Sequence, residues 1–198
     1  MAIEKLRQEY SRCQRCSSLC QSRTQVVFGS GNHQSEILFI GEAPGATEDK
    51  EGIPFCGMSG QILSELLHSI NLSREEIFIT NTILCRPENN RNPEKEEVEN
   101  CRERLDQLIA IIQPKVIVTI GNFATERILK KKGITTLRGK VFPLLIAGVD
   151  IQVVPVIHPA NYLYNGRNPQ LLEQMKQDFQ VIASIIQQKK KQKNLGEF

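Results

Sequence analysis

Four short apolar runs constrain the fold of this chain most, because they are too continuous to form half-exposed strands. They are rich in Ile and Val, and they read ILFIG (37–41), IFITNTIL (77–84), VIVTIG (116–121) and QVVPVIH (152–158). Runs of this kind are typical of strands buried on both faces, as in a parallel sheet covered by helices. Helical patterns fill the intervals. We therefore predict a three-layer α/β/α domain around a four-stranded, mainly parallel sheet with right-handed crossovers.

Asn and Asn-Pro signals predict where three of the helices begin. They stand at Asn92-Pro93, at Asn122 and at Asn168-Pro169, where Asn can cap the helix and Pro suits its first turn. The helix from Asn92 is predicted to reach position 113. No linker divides the chain, so we predict one domain over 1–188 and a basic, flexible tail over 189–198.

The charges and apolar stretches exclude several classes of protein. The 198 residues carry 25 Lys and Arg against 22 Asp and Glu, and the excess lies in the tail. The longest uncharged apolar stretch, 141–149, is about half of what a bilayer requires, and the N-terminus is too charged for a signal peptide. We expect a cytoplasmic protein without membrane contact. Six Cys in such a protein favour metal or redox chemistry over disulfides.

Four of the cysteines have spacing that suits a metal site. Cys13 and Cys16 form a C-x2-C pair, and Cys85 and Cys101 follow far along the chain. Four thiolates can hold zinc or an iron–sulfur cluster, and spacing alone does not separate the two. Cys101 also fits an apolar helix face, where it would be a small buried hydrophobe. Cys20 and Cys56 remain, and we interpret both as structural.

The motifs together resemble a known family. The segments are GEAPGATEDKEGIPFCGMSG (41–60), TNTILCRPENNRNP (80–93) and HPA (158–160), combined with the four cysteines. This combination is similar to the family 4 uracil-DNA glycosylases, prokaryotic enzymes that carry a [4Fe–4S] cluster and remove uracil from DNA. The resemblance implies a uracil-DNA glycosylase-like fold and a [4Fe–4S] cluster on those four cysteines. It also implies that the partner is uracil-containing DNA, duplex or single-stranded, and we expect the chain to act as a monomer.

Residues at the carboxyl ends of the predicted strands are the candidates for reading the base. Phe55 can stack on a flipped uracil, and Asn81 has the donor and the acceptor that pair with N3–H and O4. Cytosine presents the reverse pattern and would be rejected. Asn81 could instead be a strand-end residue satisfied by backbone. By the resemblance, Gly41 and Ala43 also line the uracil site.

Three acidic or basic residues are candidates for the chemistry and for excluding thymine. His158 can donate a hydrogen bond to uracil O2, where negative charge gathers, in an oxyanion-hole role. Glu42 can orient the attacking water and stabilise the cationic sugar. The resemblance assigns Glu48 to the exclusion of the thymine methyl, although the same loop could present Asp49 instead.

Loops are expected to contact the DNA. Ser59 lies in a segment whose backbone N–H groups can hold a phosphate, and Arg86 is a candidate backbone clamp. The stretch NYLYNGRNP after His158 is longer than the family pattern. We predict that it enters the minor groove with Leu163 as wedge and one of the two flanking Tyr residues packed beside it, while Arg167 grips phosphate. The alternative is that this loop only connects a strand to a helix. Further candidate clamps are Arg91, Arg138 and Lys140.

The sequence predicts a monofunctional glycosylase that hydrolyses the N-glycosidic bond without cutting the strand. No Lys stands in a matched motif position, so a Schiff-base lyase has no candidate nucleophile. Two alternatives belong to other classes: a redox protein whose cluster is the working part, and a zinc-stabilised nucleic-acid-binding module. The segment GEAPG is not the G-x-G-x-x-G pattern of dinucleotide binding.

Overall fold

The computed structural model describes residues 2–146 and 148–195, with side chains up to residue 188. The strands of the described part are β1 (Ser30–Gly31), β2 (Ile37–Gly41), β3 (Phe78–Asn81), β4 (Val116–Ile120), β5 (Phe142–Ile146) and β6 (Val149–Val156). The helices of that part are α1 (Ala2–Ser11), α2 (Ser17–Ser22), α3 (Ala46–Glu51), α4 (Met58–His68), α5 (Lys95–Asn100), α6 (Arg102–Ile112), α7 (Gly121–Leu129), α8 (Ile134–Leu137), α9 (Pro159–Tyr164) and α10 (Pro169–Leu195).

The central sheet has the strand order β1-β3-β2-β4-β6-β5. The four apolar runs form β2, β3, β4 and β6, which pair in parallel as predicted. The predicted number of four strands is wrong, because β1 and β5 add one antiparallel strand at each edge. The sequence pattern did not predict these edge strands because β1 has only two residues and β5 is only half buried.

The two faces of the sheet carry separate apolar cores, which confirms the α/β/α layers. Neighbouring residues of β2 point to opposite faces. Leu38 packs with the core that includes α1 and α6, whereas Phe39 packs with the core that includes α4 and α10. The ring of Phe39 lies 6.1 Å from that of Phe179 on α10.

The parallel register brings the ends of β2 and β3 together, with Gly41 opposite Asn81. Beyond the strands, the Thr82 amide donates to the Gly41 carbonyl over 2.8 Å, and the Ile83 amide donates to the Glu42 carbonyl over 3.1 Å. The two strand ends are therefore joined by backbone hydrogen bonds at the edge where ligands bind in such sheets.

The predicted helix start at Asn92-Pro93 is two residues too early, because the observed cap is Glu94 and α5 begins at Lys95. Glu94 caps α5 through a capping box, in which its amide donates to the Glu97 carboxylate over 2.8 Å. The helical stretch is also divided at Cys101, which separates α5 from α6. The predicted cap at Asn122 is two residues late, because Ile120 is the cap of α7, which begins at Gly121, whereas the start at Pro169 is confirmed.

The last helix, α10, extends to Leu195. The side chains of the predicted tail, 189–198, lie outside the described residues, so its flexibility stays a prediction. No helix in the described part of the chain is long and apolar enough to cross a membrane.

Candidate active site

A cleft of about 470 Å³ opens at the carboxyl ends of β2, β3 and β6, a size typical of small-ligand sites. It collects most of the residues that the sequence assigned to base recognition and chemistry. Its lining includes Glu42, Ala43, Glu48, Phe55, Ser59, Asn81 and His158.

Asn81 is the most informative residue of the cleft. It is 1% exposed, and neither Nδ2 nor Oδ1 has a hydrogen-bond partner. Buried polar atoms are nearly always paired in folded proteins, so two unpaired atoms on one side chain require an explanation. The alternative of a strand-end residue satisfied by backbone does not hold for this amide. The amide offers one donor and one acceptor to a ligand in the cleft.

The ring of Phe55 forms a flat wall next to Asn81. A Cβ atom built on Gly41 would lie 2.4 Å from Asn81 Oδ1 and 2.6 Å from the ring of Phe55, so only glycine fits between them. The ring centroids of Phe55 and His158 are 5.7 Å apart. Recognition and chemistry candidates from three different strands thus meet within one base-sized region.

Phe55 has a left-handed backbone, with φ of 52°, which is unfavourable for a residue of this size. Arg74 holds this conformation, since its guanidinium donates to the carbonyls of Phe55 and Pro54 over 2.8 Å each. A Cβ at Gly60 would lie 1.6 Å from the Phe55 carbonyl oxygen, so glycine is required there as well. The ring is therefore held in place by its surroundings.

His158 is oriented as a hydrogen-bond donor toward the cleft. Its Nδ1 accepts the Ala160 amide over 3.1 Å at the start of α9. Desolvation lowers the pKa of His158 to about 4, so the imidazole is neutral at neutral pH. Because a neutral imidazole carries one proton and Nδ1 is an acceptor, that proton is on Nε2. The geometry suits donation to a developing oxyanion rather than acid catalysis.

Glu42 lies directly after β2 on the wall of the cleft. Desolvation raises the pKa of its carboxyl above the usual value. A carboxylate with a raised pKa is a stronger base, which is what the activation of a water molecule requires.

Glu48 and Asp49 are adjacent on α3 but have different environments. Glu48 lines the cleft and accepts the Gly57 amide over 2.8 Å. The Asp49 carboxylate is buried elsewhere and accepts the Thr24 amide over 3.0 and 2.9 Å. Of the two residues that the sequence left open, Glu48 is the one at the cleft.

The candidate DNA-binding residues around the cleft differ in whether their side chains are already bound to other residues. Ser59 lies on its wall in the first turn of α4. Arg86 lies outside the lining and donates to Asn90, which belongs to it. Arg91 lines the cleft, but its guanidinium is engaged by Glu97 at 2.6 Å.

Arg138 is not free to clamp DNA in this structure. It forms an ion pair with buried Asp178 at 2.9 Å, and this pair fixes the segment before β5 against α10. Lys140 is exposed two residues later.

The stretch after His158 forms the short helix α9 rather than an open loop. Leu163 is partly buried and packs against the core that contains Phe55, as does Tyr162. Tyr164 is 88% exposed and lies at the rim of the cleft. Arg167 is exposed beyond the turn. Of the large apolar groups here, the Tyr164 ring is therefore the most accessible.

The four predicted cysteine ligands surround one small, enclosed pocket. Cys85 and Cys101 are buried there, while Cys13 and Cys16 are partly exposed. Two donors face the sulfurs: Arg23 Nη1 lies 2.9 Å from the Sγ of Cys85, and Asn100 Nδ2 lies 3.4 Å from the Sγ of Cys16. Hydrogen bonds of this kind stabilise ligating thiolates.

Within the described ranges, no three Cys, His, Asp or Glu side chains stand close enough to hold one metal ion. The four cysteines nevertheless surround one pocket. Four thiolates are a donor set that suits either structural zinc or an iron–sulfur cluster.

Sequence reasoning missed several residues that shape the site. Arg74 fixes the backbone of Phe55 from 19 positions away, and no sequence signal indicates this. Arg104 is buried behind Asn81, and its position between Cys101 and Leu108 on an apolar helix face was a usable signal. Tyr164 was predicted only as a neighbour of the wedge.

Comparisons with known proteins agree with this geometry. The sequence model of the Uracil DNA glycosylase superfamily matches residues 28–180. A "Type-4 uracil-DNA glycosylase" of Sulfurisphaera tokodaii is 43% identical, with 93% of this chain and 84% of the relative covered. Proteins of the same name from Archaeoglobus fulgidus, 40% identical over 95% of both chains, and from Thermotoga maritima, 39% identical over 93% and 94%, are also similar.

Proposed function

The chain belongs to the type-4 uracil-DNA glycosylases, and on that premise we propose that the cleft around Asn81 is where it recognises and releases uracil. The chain removes uracil from DNA and leaves an abasic site, the first step of base excision repair. The observation that carries the assignment of the site is the buried, unpartnered amide of Asn81.

Recognition follows from hydrogen-bond patterns. Uracil presents N3–H as a donor and O4 as an acceptor, and the Asn81 amide complements both. The base enters the cleft after the nucleotide is flipped out of the helix, and Phe55 provides the stacking surface. Cytosine would leave both amide atoms facing like groups, so the desolvated amide rejects it.

Cleavage breaks the bond between uracil N1 and the sugar C1′. The electron pair leaves with uracil, and the negative charge that gathers on O2 accepts a hydrogen bond from His158 Nε2–H. Glu42 as a carboxylate stabilises the cationic sugar and orients a water molecule, whose oxygen bonds to C1′ while its proton passes to the carboxylate. Water as nucleophile makes the enzyme monofunctional, and the strand stays intact.

Glu48 excludes thymine from the same cleft. Its carboxylate is held by the Gly57 amide, so it cannot move aside readily for a methyl group at C5. Gly41 and Ala43 leave room for the base, because neither carries a side chain larger than a methyl group.

We also propose that Cys13, Cys16, Cys85 and Cys101 hold a [4Fe–4S] cluster. The convergence of four sulfurs on one enclosed pocket supports this, and the resemblance to the family 4 enzymes favours iron–sulfur over zinc. These four residues would hold the cluster, which would supply a structural link between the N-terminal segment and the segments around Cys85 and Cys101.

The residues around the cleft engage the DNA, with the chain acting as a monomer. Ser59 and Arg86 hold phosphates on one side and Arg167 on the other. Leu163, with the exposed ring of Tyr164 beside it, fills the gap that the flipped nucleotide leaves. The expected location of this work is the cytoplasm, at the chromosome.

One assay separates this function from the alternatives. The purified protein is incubated with oligonucleotides that carry one uracil opposite G, opposite A or unpaired. We expect release of free uracil and a strand that breaks only after alkali treatment. A redox protein or a zinc-stabilised binding module would release no base, and a lyase would cut the strand without alkali.

A further inference from the structure

A buried arginine lies directly behind the base-reading residue. Arg104, on α6, is 0% exposed, and its guanidinium contacts the end of β3. Nη2 donates to the carbonyl of Asn81 over 2.7 Å and to that of Thr82 over 3.1 Å, and Nη1 donates to Thr80 Oγ1 over 3.1 Å. One side chain thus holds three consecutive residues.

The segment held by Arg104 is fixed from its other side as well. The Thr82 amide and hydroxyl both donate to the Gly41 carbonyl, over 2.8 and 2.9 Å. Because the side-chain amide of Asn81 has no hydrogen-bond partner in the free protein, its orientation depends on these contacts to the backbone. Removing the Arg104 contacts would leave the backbone of Asn81 held from one side only.

The Arg104 guanidinium depends on these acceptors at the end of β3. It has no carboxylate partner among the described residues, and its Nε is buried without a hydrogen-bond partner. A buried cation is stable only when a counter-charge or strong acceptors are close. The carbonyls of Asn81 and Thr82 are such acceptors.

We propose that Arg104 is a positioning residue for the uracil pocket. Its N–H groups fix the end of β3 that carries Asn81, and thereby set the orientation of the side-chain amide that reads the base. This inference rests on the proposed function, since it assumes that Asn81 reads the base.

Two variants of Arg104 test this role. Arg104→Lys keeps the positive charge and Arg104→Gln keeps an amide donor, but neither side chain can hold all three acceptors. Arg127→Lys is the matched control, because Arg127 is a buried arginine that pairs instead with Asp106 on the outer side of α6.

Amide hydrogen exchange, uracil excision and iron retention against a chelator are the readouts. Arg104→Lys should retain iron as the wild type does, exchange the Thr82 and Ile83 amides faster, and lower kcat by about 100-fold, as expected when a reacting group is misplaced by about 1 Å. Its affinity for DNA without uracil should not change. Arg104→Gln should show the same faster exchange and lower kcat.

Wild-type exchange and wild-type kcat in Arg104→Lys would overturn the positioning role. If Arg104→Gln does not fold, Arg104→Lys still decides this point. Equal effects in Arg127→Lys would mean that any change at a buried arginine has these consequences. A wild-type protein that releases no uracil would refute the proposed function, while the exchange measurement would still report on Arg104.

Discussion

Asn81→Ala should remove most of the activity without lowering stability. In the Ala variant, uracil N3–H and O4 would enter the cleft without partners, and each unpaired buried group costs about 1–3 kcal/mol. Two such groups cost about 2–6 kcal/mol, which at about 1.4 kcal/mol per tenfold lowers kcat/KM by between about 30-fold and about 10⁴-fold. The free protein loses no hydrogen bond, because both amide atoms are unpartnered.

The Asn81→Ala substitution should therefore lower activity without lowering stability. Removing two buried polar atoms without partners relieves a desolvation penalty, so the Tm of Asn81→Ala should equal or exceed that of the wild type. Single-turnover excision and thermal unfolding are measured on the same preparation, with Asn161→Ala, an exposed residue of the cleft lining, as control. Wild-type excision, or a loss of activity that only follows a lower Tm, would refute this reasoning.

Three further predictions concern the chemistry, the cluster and the DNA contact. The excision rate should fall as the pH drops through the raised pKa of Glu42, because only the carboxylate is active; a pH–rate profile in which Glu42→Gln keeps the same acidic limb would assign that limb to another group. Cys85→Ala should lower both iron content and Tm, because metal binding is coupled to folding, whereas Cys20→Ala should change neither; equal losses would place Cys20 among the ligands. Leu163→Ala should slow excision from duplex U·A more than from single-stranded DNA, with Tyr164→Ala as the exposed comparison; equal losses on both substrates would make Leu163 a packing residue.

The sequence predicts the centre of this fold better than its edges. Strands buried on both faces need continuous apolar residues, so β2, β3, β4 and β6 are visible as runs. The edge strand β5 has alternating partial exposure and is defined by its pairing with β6, a contact that local sequence does not encode. The start of α5 was misplaced because Glu94 and Glu97 cap it, which competes successfully with the Asn-Pro signal.

In the candidate active site, too, the sequence predicts some features, and others become visible only in the structure. Asn81, Glu42 and His158 could be predicted because they lie at or just after the ends of parallel strands, which converge at one edge of the sheet. The left-handed backbone of Phe55 and the buried contacts of Arg104 arise from tertiary packing between distant segments. Such contacts depend on where α4 and α6 pack, so they become visible only in the structure.

A crystal structure of the protein with free uracil would test the central claim most directly. We predict that the base stacks on Phe55, that the Asn81 amide pairs with N3–H and O4, and that Nε2 of His158 lies within hydrogen-bond distance of O2. Uracil bound elsewhere, or bound in this cleft with both amide atoms of Asn81 still unpartnered, would contradict the account.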